Sequence, residues 1–184
     1  RQEYVSAWMY IHSKGKTKRN LDKFMQEVTI VIPNYNGKRL LENCLKTLEQ
    51  QTYKDFKVLV VDNGSSDGST EVSSEKLELE IVSLKENLGF CGAVNLGIQK
   101  TKTPYLILLN NDTETDRYFV EKLLAGIKKS ERIFSCGAQM IDFKDHEMLD
   151  NAGDLFTAMG WAVGRGIGKK CDDFGRAVRV FSCC

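Results

Sequence analysis

No Cys-x-x-Cys pair occurs in this sequence, and only two histidines, His12 and His146, accompany its six cysteines (Cys44, Cys91, Cys136, Cys171, Cys183 and Cys184). A structural zinc site needs four such ligands at close spacing, so the pattern argues against zinc. Scattered cysteines, with Cys44 and Cys91 inside apolar periodic segments, read instead as reduced thiols in a reducing compartment. No apolar run approaches the roughly 20 residues that span a bilayer. The opening Arg-Gln-Glu-Tyr-Val-Ser-Ala-Trp lacks the charged-then-apolar layout of a secretion signal. An excess of one charge is lacking too: 26 basic and 25 acidic side chains leave a formal net charge of +1. No overall field therefore draws the chain to nucleic acid or to an acidic surface. The expectation is a cytoplasmic protein, at most peripheral at the inner face of a membrane, with no nucleic-acid partner and no transmembrane segment.

Glycine-rich phosphate motifs are also missing. Gly15-Lys16-Thr17 has the end of a P-loop, but Tyr10 stands where its leading glycine belongs. Gly168-Lys169 fails in the same way at Val163. No Gly-x-Gly-x-x-Gly follows the first β-branched run, which disfavours a nicotinamide site.

What the chain does contain begins at Val28. Residues 1–27 are polar and basic and read as a linker or the tail of a preceding module. Val28-Thr-Ile-Val-Ile32 predicts a strand, and Leu40, Leu41, Cys44, Leu45 and Leu48 recur at helical spacing after it. Further strands are expected at 56–61, 80–84 and 105–109. A short helix is expected over 69–77, one carrying Phe90, Ala93, Val94, Gly97 and Ile98, and one over 113–128 with Phe119, Leu123, Leu124 and Ile127 inward. Alternation of strand and helix predicts an α/β fold, a mostly parallel central sheet with helices on both faces. Residues 28–184 form the expected domain. Its last third is less regular: a strand within 133–141, then Gly-rich hairpins and loops. Trp161 reads as a core anchor more readily than as a platform for a sugar ring.

The strand exits share a chemistry. They run Pro33-Asn34-Tyr35-Asn36-Gly37, then Asp62-Asn63-Gly64-Ser65-Ser66-Asp67, then Glu86-Asn87-Leu88-Gly89, then Asn110-Asn111-Asp112. Turn formation alone explains any one of them. In an open parallel sheet, however, all four lie along one edge, where ligands bind at the point of strand-order reversal. Asn and Asp suit a base edge or a ribose, and the N–H groups of the helix opening at Gly89 suit a phosphate. Asp112 and Glu114 offer hard oxygens to a divalent cation. Asp112 has a second reading, as the N-cap of the helix over 113–128.

These four segments, in this order, resemble the family-two glycosyltransferases of the GT-A (Rossmann-like) fold, and most closely the rhamnosyltransferase-like branch. The similarity runs from about Val28 and fades after Ile141, with Asp150-Asn-Ala-Gly-Asp154 and Gly164-Arg-Gly166 similar to the segment that follows. The resemblance implies an inverting enzyme that uses a nucleotide-sugar donor, UDP- or dTDP-linked, and a saccharide or lipid-linked acceptor, in cell-surface polysaccharide synthesis. It implies that Pro33, Asn34, Tyr35, Asn36, Asp62 and Asn63 cradle base and ribose, and that Asn87, Gly89 and Asn95 line the ribose and diphosphate. Asn111 and Asp112 would face the diphosphate, with Asp112 the catalytic metal ligand for Mg²⁺ or Mn²⁺. Relatives often carry Asp-x-Asp where this chain has Asn110-Asn111-Asp112, which leaves fewer anionic ligands. The family's general base belongs to a segment beyond Cys184, so the chain is expected to be a donor-binding portion, truncated at its C-terminal end and inactive alone. Two other readings stay open, a nucleotide-binding module without turnover and a nucleotidyltransferase-type α/β enzyme.

Overall fold

The computed structural model describes residues 7–11 and 26–180, with side chains from 26 onward. Four strands form the parallel centre: β2 (Val28–Asn34), β3 (Phe56–Asp62), β4 (Leu79–Ser83) and β5 (Tyr105–Leu109). They lie in the order β4-β3-β2-β5, so successive strands step outward from β2 and then jump back to its other side. Strand order therefore reverses between β2 and β5. All four expected strands are present, to within two residues.

The sheet is longer than expected on the β5 side. Ala7–Ile11, within the stretch expected to be a linker, form β1, antiparallel to β5 and to β6 (Ser135–Gly137). Ala7-Trp-Met-Tyr-Ile11 is apolar but stands within an otherwise polar, basic stretch, and its pairing is with strands far along the chain.

Helices α1 (Lys38–Glu49), α2 (Gly89–Lys100) and α3 (Phe119–Ile127) cover both faces. Alternation along the strands divides the core. Ile30, Ile32, Val58, Val60, Ile107 and Leu109 pack with Leu41, Cys44, Leu45 and Leu48 of α1 and with Phe119, Val120 and Leu123 of α3. Val31, Leu59, Val61 and Leu106 face Ala93 of α2. Burial on both faces explains why these strands are near-continuous apolar runs.

Helix α2 lies close to the sheet because Gly97 has no side chain: a Cβ there would stand 2.3 Å from Val31 Cγ1. Gly97→Ala is expected to lower stability by about 1–3 kcal/mol, the usual effect of overpacking. Urea denaturation checks this as a lower midpoint at unchanged slope.

Two expected helices are shorter than their sequence suggested. Residues 69–77 form only a 3-10 turn, Ser69–Glu71. Helix α3 starts at Phe119 rather than 113, because Thr115 and Asp116 are held in a loop by α1. The expected strand within 133–141 is two strands, β6 in the large sheet and β7 (Met140–Ile141), which pairs with β8 (Leu149–Asn151). A last hairpin joins β9 (Asp154–Phe156) to β10 (Ala162–Gly164). Trp161, expected in a core, is exposed beside this hairpin's turn.

Candidate functional site

The site grows from the place where β2 and β5 part. Their pairing ends at Val31↔Leu108, while β2 continues along β3 to Asn34↔Asp62. Pro33 sits just beyond the split, where a residue without an N–H removes one donor that would otherwise need a partner. The opened crevice is bridged by side chains. Asn111 Nδ2 donates to Asn34 Oδ1 at 2.7 Å, and Asn34 Nδ2 donates to Asp62 Oδ1 at 3.0 Å. Asp62 Oδ2 accepts from the Ser65 N–H at 3.0 Å. Asn34 and Asp62 are 2% and 1% exposed. Buried polar groups need such partners, and these have them.

The third exit joins the same net through Asn63. The Asn63 N–H donates to the Asn34 carbonyl at 2.8 Å. Its side-chain Nδ2 reaches Asn87 Oδ1 at 2.8 Å and the Gly89 carbonyl at 3.1 Å, and its Oδ1 accepts from the Leu88 N–H at 2.9 Å. All four loops thus meet at one rim through a continuous chain of hydrogen bonds. Asn36 is the only non-glycine residue with positive φ among the described residues, at 47°. That conformation lets its N–H bond Ser65 Oγ while its Oδ1 accepts from the Ser66 N–H, each at 2.8 Å.

The same net places the expected site residues differently. Asn34, Asp62 and Asn63 are buried and bonded to protein, so they build the rim. Tyr35, Asn36 and Asn87 are exposed on it. Gly89, at φ +74°, gives its own N–H to Asn87 Oδ1 at 2.8 Å, so it acts as a turn residue, and the helix N–H groups left for an anion begin at Phe90. Asn95 lies on the exposed side of α2, and no hydrogen bond ties it to the rim. Gly37 makes room for the bridge: a Cβ there would come within 2.3 Å of Asn111 Nδ2.

Asp112 follows directly, half-buried, at the wall of a cleft of about 310 Å³ lined by Arg39, Leu40 and Asn43 of α1, by Thr113 and Glu114, and by Phe143. It is not a helix cap, since α3 begins seven residues later with Tyr118 at its N-cap position. Asp112 and Glu114 act together on Cys44, beneath them on α1. Burial first, and then the charges of Asp112 and Glu114, push the Cys44 thiol up to about 12. That thiol stays protonated and inert at neutral pH. Among the described residues no group of three His, Cys, Asp or Glu side chains could hold a metal by itself. One or two carboxylates instead fit an Mg²⁺-type ion whose remaining ligands are water and the phosphates of a bound molecule.

A family model described as Glycosyl transferase family 2 matches residues 29–165, well over half of the chain. The chain belongs to that family. Its curated relatives include the teichoic acid poly(glycerol phosphate) polymerase of Staphylococcus epidermidis, 30% identical over 101 residues, which cover 52% of this chain and 14% of that protein. Glycosyltransferase GlyA of Streptococcus pneumoniae is 30% identical over 114 residues, covering 60% of this chain and 16% of that one. Glycosyltransferase AglE of Haloferax volcanii is 35% identical over 101 residues, covering 52% and 33%. The chain thus spans well under half the length of these relatives. Among solved structures, S. aureus TarS residues 1–349 superposes with a TM-score of 0.52 at 21% identity, over 56% of this chain and 32% of that one, and so shares the fold.

Sequence reasoning missed what holds this family-2 site from behind. Gln51, just past α1 and fully buried, accepts the Val120 N–H on Oε1 at 3.1 Å. Its Nε2 donates to Thr115 Oγ1 at 3.1 Å and to the Asp116 carbonyl at 2.8 Å. Thr47 Oγ1 accepts the Thr115 N–H at 3.1 Å. These bonds fix the loop that carries Asp112. A glutamine after a helix gives no signal in sequence, because its partners lie more than sixty residues on. Gln51→Ala leaves the first turn of α3 unsatisfied and is expected to destabilise by about 1–3 kcal/mol, measured by urea denaturation.

Asp67 closes the other end of the rim. It accepts from Ser69 Oγ at 2.5 Å, and from the Lys38 N–H at 2.8 Å where α1 begins. The Ser69 hydroxyl, and then the Lys38 N–H, hold its carboxyl below the usual value. A carboxyl depressed in the folded state adds stability above its unfolded pKa and loses it as pH falls through the folded value. Melting temperature should therefore drop in acid from about pH 4 downward, and Asp67→Asn should flatten that limb.

Proposed function

We propose that this chain is the donor-binding portion of an inverting glycosyltransferase that moves a sugar from a nucleoside-diphosphate sugar, UDP- or dTDP-linked, to a saccharide or lipid-linked acceptor. The observation that carries the reading is the hydrogen-bonded union of four strand exits beside Asp112 at the β2/β5 reversal. Family membership and a relative named for teichoic acid polymerisation support cell-surface polysaccharide synthesis as the setting, at the cytoplasmic face of a membrane.

In this reading Tyr35 and Asn36 meet the base and ribose, and Pro33, Asn34, Asp62 and Asn63 hold them at a fixed spacing. Asn87 and the N–H groups after Gly89 face the ribose and diphosphate, with Asn95 further along α2. Asn111 locks the β5 exit to β2 and so aims Asp112, which with Glu114 holds Mg²⁺ or Mn²⁺. Bound there, the ion supplies Lewis-acid stabilisation of the charge on the departing nucleoside diphosphate. The protein's own contribution is preorganisation: a rim already hydrogen-bonded needs little rearrangement when charge develops.

Calorimetry with UDP, dTDP and GDP, each with and without Mn²⁺, tests the reading. Binding of at least one, tightened by Mn²⁺, is expected; failure of all three contradicts it. Pyrophosphate release from nucleoside triphosphates would favour a nucleotidyltransferase instead.

A further inference from the structure

Building on the donor-site reading, we propose that the cleft beside Asp112 receives the glycosyl group of the nucleotide sugar, and that Asn43 and Phe143 are contacts that select its ring. The rim then holds the nucleoside, and the cleft holds the group to be transferred.

Helix α1 separates the two. Its buried face carries Leu41, Cys44, Leu45 and Leu48. One flank turns to the β3 exit: Lys38 gives its N–H to Asp67, and a Cβ on Gly68 would stand 3.1 Å from Lys38 Nζ. The other flank carries Arg39 and Asn43, four residues apart and so on one side of the helix. With Leu40 they line the cleft opposite Asp112, Thr113 and Glu114. Phe143 completes the lining, half-exposed, on an ordered turn. There Asp142 Oδ1 accepts from the Lys144 N–H at 2.7 Å and the Asp145 N–H at 2.9 Å. The His146 ring stands edge-on to Phe143, with centroids 6.4 Å apart.

The polar groups here are uncommitted, in contrast to those of the rim. Asn34, Asn63 and Asn111 are spent on other protein groups. The Arg39 and Asn43 side chains make no hydrogen bond or ion pair among the described residues. The Thr113 hydroxyl is buried and has no hydrogen-bond partner among them either. Buried polar groups are nearly always paired, so this one, beside two uncommitted side chains, points to a hydroxylated ligand. A sugar hydroxyl both donates and accepts, which suits an amide, a guanidinium and a hydroxyl together. The C–H face of a sugar ring suits an exposed aromatic ring such as Phe143. At about 310 Å³ the cleft lies at the small end of ligand sites, right for one ring and not for a chain of them. Covalent connection decides which ring. The glycosyl group alone is bonded to the diphosphate that a cation at Asp112 would hold, so it is the ring that must lie beside that wall.

The test is ¹⁵N–¹H NMR of the full chain with Mg²⁺, comparing UDP with UDP-glucose and UDP-N-acetylglucosamine, and dTDP with dTDP-rhamnose. At least one nucleotide sugar is expected to move the Asn43 side-chain amide pair and the Arg39 Nε–H signal beyond the shift that its bare diphosphate gives. Asn43→Ala and Phe143→Ala should each weaken binding of that nucleotide sugar about threefold to tenfold, the usual effect of one hydrogen bond or one ring contact. Their UDP affinity and melting temperature should match those of the native chain. If UDP binds but no nucleotide sugar moves these signals, the cleft is not the glycosyl site, while the donor-site reading survives. Failure of UDP and dTDP to bind at all would overturn both. Equal weakening of UDP and nucleotide sugar in the variants would assign the cleft to the diphosphate. Methyl glucoside moving the same signals without any nucleotide would assign it to the acceptor. Either result overturns the proposal.

Discussion

Asp112→Ala is expected to abolish the Mn²⁺-dependent gain in nucleoside diphosphate binding, while binding in EDTA stays as in the native chain. The carboxylate stands at the exit of β5, where Asn111 is already bonded to Asn34, and among the described residues that line the cleft only Glu114 offers another anionic oxygen. With so few anionic ligands, losing one should cost at least tenfold in metal-assisted affinity, or about 1.4 kcal/mol. In a full-length enzyme the effect on rate should be larger. A cation on the leaving group contributes several kcal/mol to transition-state stabilisation, and each 1.36 kcal/mol is tenfold in rate. Stability should change little, because Asp112 is half-buried in a loop fixed independently by Gln51 and Thr47. The Cys44 thiol gives a second readout. Burial is the main cause of its raised value and Asp112 the next, so its pKa should fall in the variant yet stay above that of a free thiol. Titrating metal-dependent UDP binding decides the matter; an unchanged Mn²⁺ effect means that the cation sits elsewhere.

Asp62→Ala should damage fold and binding together. Asp62 is buried, and its two oxygens accept from Asn34 Nδ2 and the Ser65 N–H. Truncation takes an acceptor from the buried Asn34 Nδ2, which keeps only a long contact to Ser65 Oγ at 3.4 Å, and from the half-buried Ser65 N–H; an unsatisfied buried donor costs about 1–3 kcal/mol. Asn34 would also lose the partner that orients it toward Asn111, which opens the crevice between β2 and β5. Asp62→Asn keeps one acceptor and should fall between the native chain and alanine, both in urea midpoint and in UDP affinity. A midpoint for Asp62→Ala equal to the native one would show that the hydrogen-bonded rim does not hold the strand exits together.

Much of this was legible in the sequence because strands buried on both faces announce themselves. Val58-Leu-Val-Val61 and Leu106-Ile-Leu-Leu109 could be little else, and the amides and acids that end them mark one edge of a parallel sheet. The sequence did not show which of those amides face outward. Asn34 and Asn63 read like ligand-binding residues, yet their side chains are spent on Asp62, Asn111, Asn87 and Gly89, and only the pairing geometry shows it. Gly89 is exposed on the rim, and its own N–H is bonded to Asn87 Oδ1. Glu114 suits a first helical turn, yet α3 begins only at Phe119 because Thr47 and Gln51 hold Thr115 and Asp116 in a loop. The edge strand Ala7–Ile11 rests on pairing with β5 and β6, far along the chain. Trp161 looked like a core residue by type alone, and its neighbours Gly160 and Ala162 gave no hint that it would face solvent.

The central claim is that the four strand exits act as one receptor for a nucleoside diphosphate. Two-dimensional ¹⁵N–¹H NMR of the chain titrated with UDP and Mg²⁺ tests it most directly. The account predicts shifted amide signals in all four groups, near 34–37, 62–67, 87–91 and 110–114, with one shared affinity. Shifts confined to a single loop, or lying outside all four, would contradict it.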